Sequence, residues 1–270
     1  YQYHSNCRVP YKKRVNMIIS HKHKYVFVGL PLAASTAISK ELCEMYDGTP
    51  ILAKHSLYQD FLKVATKEEK KYKVIACSRN PLDISVSYYT KMMTDSSGNF
   101  SNESLLRKNG GHLKIRDFKL SKLFRDNQFD YNIFLEKYYQ FPFDNWLSIT
   151  TPHCDFIIRF EALISDFEKA LLHCGIKPKR PLPLVNKTKK KKAFESFYND
   201  SNKAIGLSIF GPFMLHHNIA FPAVWGDCKV GWLPKLQFKV LSYVRKFYWM
   251  NKSYRNTNTQ KVYKELLEKH

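Results

Sequence analysis

The amino-acid sequence predicts an α/β fold of three layers, a central parallel sheet flanked by helices. Three apolar runs, Tyr25–Leu30 (YVFVGL), Val74–Ser78 (VIACS) and Asp155–Phe160 (DFIIRF), have the length and β-branched, aromatic content of buried strands. Each is followed within a few residues by a segment of helical period. Strands that alternate with helices form parallel sheets with right-handed crossovers and helices on both faces. The chain has 270 residues, 44% of them hydrophobic and 15% aromatic, enough to bury a large core and too many for a disordered chain.

The elements follow in order. Residues 1–20 are basic and read as irregular up to an apolar patch at Met17–Ile19. After the first strand, Ser35–Tyr46 reads as a helix, with Ile38, Leu42 and Met45 at i, i+4 and i+7 on one apolar face. Asp47-Gly48-Thr49-Pro50 stops it. Ile51–Ala53 reads as a short strand and Leu57–Ala65 as a helix; Lys67–Lys73 is a charged connector to the second strand. Pro81 opens the next helix, to about Met93, because its missing N–H costs nothing in a first turn. Asp95–Gly111 is polar and glycine-containing, and reads as a mobile loop. Residues 116–150 are helical and rich in aromatics, and Glu161–Cys174 is the helix after the third strand. Pro181–Lys192 (PLPLVNKTKKKK) is a basic loop. Beyond residue 197 the periodicity supports a helix at about Leu236–Trp249. The expected organisation is one domain over 1–270, with a core at 20–226 and a helical C-terminal extension at 227–270.

The formal net charge is +21, which favours an anionic partner: a nucleotide, an acidic glycan, nucleic acid or an anionic membrane surface. A lysine-rich solvated surface accounts for the same charge. No apolar run reaches the ~20 residues needed to span a bilayer. The six cysteines are scattered with no C-x-x-C pair, a spacing that disfavours zinc and favours free thiols in a reducing, cytoplasmic setting. The start on Tyr1 leaves an upstream signal or anchor open.

Two segments carry chemistry. In YVFVGLPLAASTAISK (Tyr25–Lys40), a strand passes through small residues into a helix whose first N–H groups attract an anion. A Walker loop would need Gly and Lys where GLPLAAST has Ala34 and Ser35, which argues against ATP hydrolysis. In VIACSRNPLDISVSYY (Val74–Tyr89), Arg79 stands at a strand end and Ser87 in the following helix. The pair suggests a nucleotide carrying phosphates at two places. Alone, Arg79 reads equally as an ion-pair partner, and Asp83 as a carboxylate favoured at a helix N-terminus.

Together these segments resemble the signatures of sulfotransferases that use 3′-phosphoadenosine 5′-phosphosulfate (PAPS), especially the carbohydrate branch. That family holds the 5′-phosphosulfate with P-K-x-x-x-T/S and the 3′-phosphate with R-(N/D)-P-x-(D/E)-x-x-x-S. Here the second pattern is complete in Arg79, Asn80, Pro81, Asp83 and Ser87. The first corresponds to Pro31, Leu32, Ala33, Ala34, Ser35, Thr36 and Ala37, with Leu32 in the lysine's place. IIRFEALISDFEKAL (Ile157–Leu171) is similar to the family's R-x-E-x-L-x-x-D-F segment. LPLVNKT, with Asn186, Lys187 and Thr188, is similar to its basic nucleotide-contacting loop. The resemblance covers roughly Ser20–Gly226.

It implies a P-loop-like fold, PAPS as sulfuryl donor, no metal, and a hydroxyl of an anionic or neutral glycan as acceptor, with no nucleic-acid partner. AKHSLYQDFLK (Ala53–Lys63) is similar to the H-V-S-Y-x-D-F segment of uronyl 2-O-sulfotransferases, which makes His55 the candidate base. Glu41 and Glu44 follow it, since other sulfotransferases use a glutamate, although an ordinary solvated helix face accounts for both. Lys54, Lys187 and Lys189–Lys192 are candidates to supply the charge that Leu32 lacks. A non-catalytic PAPS- or glycan-binding protein of the same fold is the alternative; basic-aromatic clustering away from the cleft, as in Lys235–Arg255, would favour it.

Overall fold

The computed structural model describes residues 17–52, 56–183 and 193–253. Its strands are β1 (Met17–Ser20), β2 (Tyr25–Val28), β3 (Thr49–Ile51), β4 (Lys73–Ser78) and β5 (Phe156–Arg159). Its helices are α1 (Ser35–Met45), α2 (Tyr58–Val64), α3 (Pro81–Thr94), α4 (Ile115–Asp126), α5 (Tyr131–Tyr138), α6 (Leu147–Thr150), α7 (Leu163–His173), α8 (Asp200–His216) and α9 (Trp232–Ser253). The chain divides into two compact units. One comprises Tyr1–Ser78, Trp146–Val185 and Lys246–His270; the other comprises Arg79–Asn145 and Asn186–Arg245.

The first unit holds the whole sheet, in the order β3-β1-β2-β4-β5. The three strands expected from the sequence, β2, β4 and β5, are neighbours and parallel. β1 pairs antiparallel with both β2 and β3, so the sheet is mixed at one side. Met17–Ile19 is therefore a strand and not the end of an irregular segment. Its apolar residues are buried because β2 and β3 supply ladders on both of its sides. The short strand expected at Ile51–Ala53 runs instead over Thr49–Ile51, in register with β1. Its last expected residue, Ala53, lies outside the described residues. β2 is fully buried, and Ile38 and Leu42 of α1, Phe61 of α2 and Phe167 of α7 complete this core.

α1 ends as its sequence predicts. The N–H groups of Tyr46 and Gly48 both return to Leu42 O, at 3.1 and 3.0 Å. A Cβ on Gly48 would stand 2.6 Å from Ile18 Cγ2 and 2.8 Å from Leu42 O. Gly48→Ala is expected to lower stability by about 1–3 kcal/mol through overpacking, read as a lower urea midpoint with unchanged slope.

The second unit is helical. Its core gathers Leu82 and Val86 of α3, Phe124 of α4, Phe134 and Leu135 of α5, Phe210 and Met214 of α8, and Trp225. The aromatic stretch 116–150 forms α4 and α5 here and the short α6 of the first unit, with Asp130 capping α5 through Ile133 N–H at 3.0 Å. The Asp95–Gly111 segment, expected as a loop, carries two short 3-10 turns at Glu103–Leu105 and Arg107–Asn109. α8 was hidden by Gly206, Gly211 and the internal Pro212. α9 extends the helix expected at Leu236–Trp249 at both ends.

Candidate functional site

β2 leads into a turn at Pro31–Ala34 and then α1. Leu32 (φ 63) and Ala34 (φ 52) both adopt the left-handed region, which costs a side-chain-bearing residue about 1–2 kcal/mol. Left-handed residues alternating along a turn make successive N–H groups converge into an anion-binding concavity. Ala34 is the N-cap of α1, and its carbonyl accepts from Ala37 and Ile38 N–H at 3.0 and 3.2 Å. An alanine cap brings no side-chain oxygen to the first turn, and that turn holds no acidic residue. Ser35 and Thr36 occupy it, the first buried and the second exposed. Their N–H groups are donors that the helix itself does not use.

The end of β4 leads to the second segment. Asn80 caps α3 by accepting from Leu82 N–H at 3.0 Å, and Pro81 takes the first helical position. Arg79 Nε donates to Asp83 Oδ2 at 2.7 Å and its Nη2 donates to Ser87 Oγ at 2.7 Å. The guanidinium is thus held in one orientation with the Ser87 hydroxyl against it. Asp83 does more than favour the helix dipole: it pairs with Arg79 four residues before it.

Polar contacts from elsewhere in the helical unit fix α3. Tyr131 OH donates to Ser85 Oγ at 2.8 Å, and Tyr198 OH donates to Leu82 O at 3.1 Å. Burial pushes the Tyr131 and Tyr198 phenols well above their ordinary range, so both stay neutral donors. Tyr88, beside Ser87, donates to the buried Asp117 at 3.1 Å. The sequence showed only an excess of aromatics here; which tyrosines reach α3 is a matter of tertiary packing.

Strand directions bring three chain segments to one edge of the sheet. β2 and β4 are parallel, with Val28 opposite Ala76, so Gly29 and Arg79 both follow carboxyl ends. β3 is antiparallel to β1, which is antiparallel to β2, so β3 runs in the direction of β2. The chain after Ile51 leaves at the same edge, where open α/β sheets present ligands.

Glu41 is not on a solvated face. It is 1% exposed, and both carboxylate oxygens accept from Arg180, Oε1 from Nε at 2.8 Å and Oε2 from Nη2 at 2.7 Å. Arg180 comes 139 positions later, so helical period alone could not reveal the pair. Glu44 stays at the surface beside Lys40 and Arg180, at 3.7 and 3.5 Å. Ala37, Lys40, Glu41, Glu44, Arg180 and Pro183 line a cavity on this flank of α1. His55, Lys54, Asn186, Lys187, Thr188 and the rest of the lysine run lie outside the described residues.

The segment Ile157–Leu171 has a structural explanation. Asp166 is 2% exposed and accepts from Arg159 N, Nε and Nη2 at 3.1, 2.7 and 2.9 Å. These bonds hold its carboxyl below the usual carboxylate range and tie β5 to α7.

A family model described as a sulfotransferase domain matches residues 14–175. The chain belongs to the sulfotransferase domain family. The match takes in the five described strands, the Pro31–Ala37 turn and the Arg79–Ser87 segment, and ends before the basic loop. No curated protein and no solved structure matches the chain.

Proposed function

We propose that this sulfotransferase moves a sulfuryl group from PAPS to a hydroxyl of a carbohydrate acceptor. The observation that carries the proposal is Arg79, oriented by Asp83 with Ser87 Oγ 2.7 Å from its Nη2. A planar guanidinium flanked by a hydroxyl recognises a phosphate, and the segment follows β4 whereas the anion-attracting turn follows β2. The donor sets therefore fit a nucleotide with two separated phosphate groups. Arg79 and Ser87 would hold the 3′-phosphate. The N–H groups of Ala33–Thr36 with the Ser35 and Thr36 hydroxyls would hold the 5′ side. PAPS supplies an activated sulfuryl group on a bisphosphate leaving group.

His55 takes the acceptor hydroxyl proton as the new O–S bond forms and the S–O bond to the 5′-phosphate breaks. The positive end of α1 and the turn's N–H groups stabilise the electron pair left on that phosphate. The resemblance assigns Asn186, Lys187 and Thr188 to contacts with the nucleotide. The net charge of +21 suits a nucleotide and, among acceptors, an acidic glycan.

The test is single-turnover transfer from labelled PAPS to a panel of glycans. Transfer to a glycan supports the proposal. Tight nucleotide binding without transfer to any acceptor favours the second reading, a non-catalytic binder of the same fold, which Leu32 in the family's lysine position also favours. In the same assay Leu32→Lys is expected to raise transfer about ten-fold, in turnover more than in binding. The exchange is neutral for the backbone, because Leu32 already bears its side chain at φ 63. A fall in rate would mean that another cation already occupies that place.

A further inference from the structure

We infer that α9 seats this protein on an anionic membrane surface. The helix has two apolar faces. Phe238 and Ser242 are buried, Phe238 stacks edge-on against Phe213, and Ser242 Oγ donates to Asp144 at 2.5 Å. Arg245, on the same side, donates to Pro142 O at 2.7 Å. On the opposite side Leu236, Val240, Tyr243 and Phe247 follow one another at spacings of four, three and four, a single helical row. Their exposures are 51%, 55%, 79% and 71%, and Leu233 and Val244 widen the row. Trp232, at the start of the helix, is exposed as well.

Charge selects the occupant. Lys235, Lys239 and Lys246 fall on one flank of the row, and α9 holds no acidic residue. Lysines beside an apolar row can bury their stems and keep their ammonium groups among anionic headgroups. Trp and Tyr at such a face suit the boundary between headgroups and acyl chains. Among the described residues no helix is long and apolar enough to cross a membrane, so α9 lies in the interface and does not span it. A second copy docking through this face would bring two lysine rows together without an acidic partner. The inference stands apart from the identity of the acceptor.

The test is co-sedimentation of the full chain with vesicles of phosphatidylcholine alone and with about 30% phosphatidylserine. Partition onto the anionic vesicles is expected to be at least about ten-fold stronger. Because the net charge of +21 attracts anionic lipid by itself, the deciding variants leave charge unchanged. Tyr243→Ser/Phe247→Ser and, separately, Leu236→Ser/Val240→Ser should each lower partition about ten-fold, with the helical circular-dichroism signal and thermal midpoint retained. Wild type and both variants sedimenting equally with anionic vesicles would overturn the inference. So would a lipid-free dimer in analytical ultracentrifugation that either variant dissociates, which would give the face to a second copy.

Discussion

Replacing His55 by alanine is expected to slow single-turnover sulfuryl transfer about 10²–10⁴-fold while leaving nucleotide affinity nearly unchanged. A sugar hydroxyl is a weak nucleophile until its proton is accepted. An imidazole, titrating near about 6.5 when unperturbed, accepts it at neutral pH. β3 delivers the chain to the carboxyl edge of the sheet, and α2 begins directly afterwards, with Leu57 N–H bonded to Asp60 at 2.8 Å. The competing carboxylate is engaged, since Glu41 gives both oxygens to Arg180. Transfer by the wild type should rise as pH passes upward through the imidazole's range, and that limb should vanish in His55→Ala. Equal single-turnover rates for the two proteins would remove His55 from the mechanism. Glu41→Gln should act mainly on thermal stability, because it weakens the pair that the buried carboxylate makes with Arg180.

Arg79→Ala is expected to abolish the preference for 3′,5′-bisphosphoadenosine over AMP. A charge-assisted contact of this kind contributes about 1.5–3 kcal/mol, so the affinity ratio should fall by roughly ten- to 150-fold. Asp83 accepts from its Nε and Ser87 from its Nη2, so the guanidinium is held in one orientation. Arg79→Lys should restore the charge but only part of the ratio, since an ammonium cannot hold Asp83 and the phosphate in one plane. Titration calorimetry with both nucleotides on each variant checks this. The ratio within one variant is insensitive to partial loss of folded protein. A wild-type ratio near one would mean that the segment recognises no 3′-phosphate.

Much of this molecule could be read from residues close together in the chain. β2 and β4 are continuous apolar runs, buried on both faces as such runs require. β5, expected as a buried strand, is an edge strand with only Ile158 buried, because no described strand pairs with its outer side. The Arg79–Ser87 segment is a local device, a strand end, an Asn cap, a Pro at the first helical position and a serine eight residues on, so its motif foretells its geometry. The end of α1 is local too, since Gly48 closes back on Leu42. β1 was less legible. Its three apolar residues only end a basic stretch, and Met17–Ser20 becomes a strand through β2 and β3 on either side. α8 runs against propensity. Gly206 and Gly211 would be costly in an exposed helix, but here they admit the Trp225 ring and Val230, which a Cβ would meet at 3.0 and 2.5 Å.

The sequence by itself determined the parallel strands, the turn that opens α1 and the strand-to-helix passage at Arg79–Ser87, because each is set by side chains within one or two turns of one another. Only the tertiary structure decided the mixed edge of the sheet, the removal of Glu41 from solvent by Arg180, the tyrosines that fix α3, and which face of α9 stays uncovered. These depend on partners far away in sequence, and burial is settled by what packs against a residue and not by its own pattern.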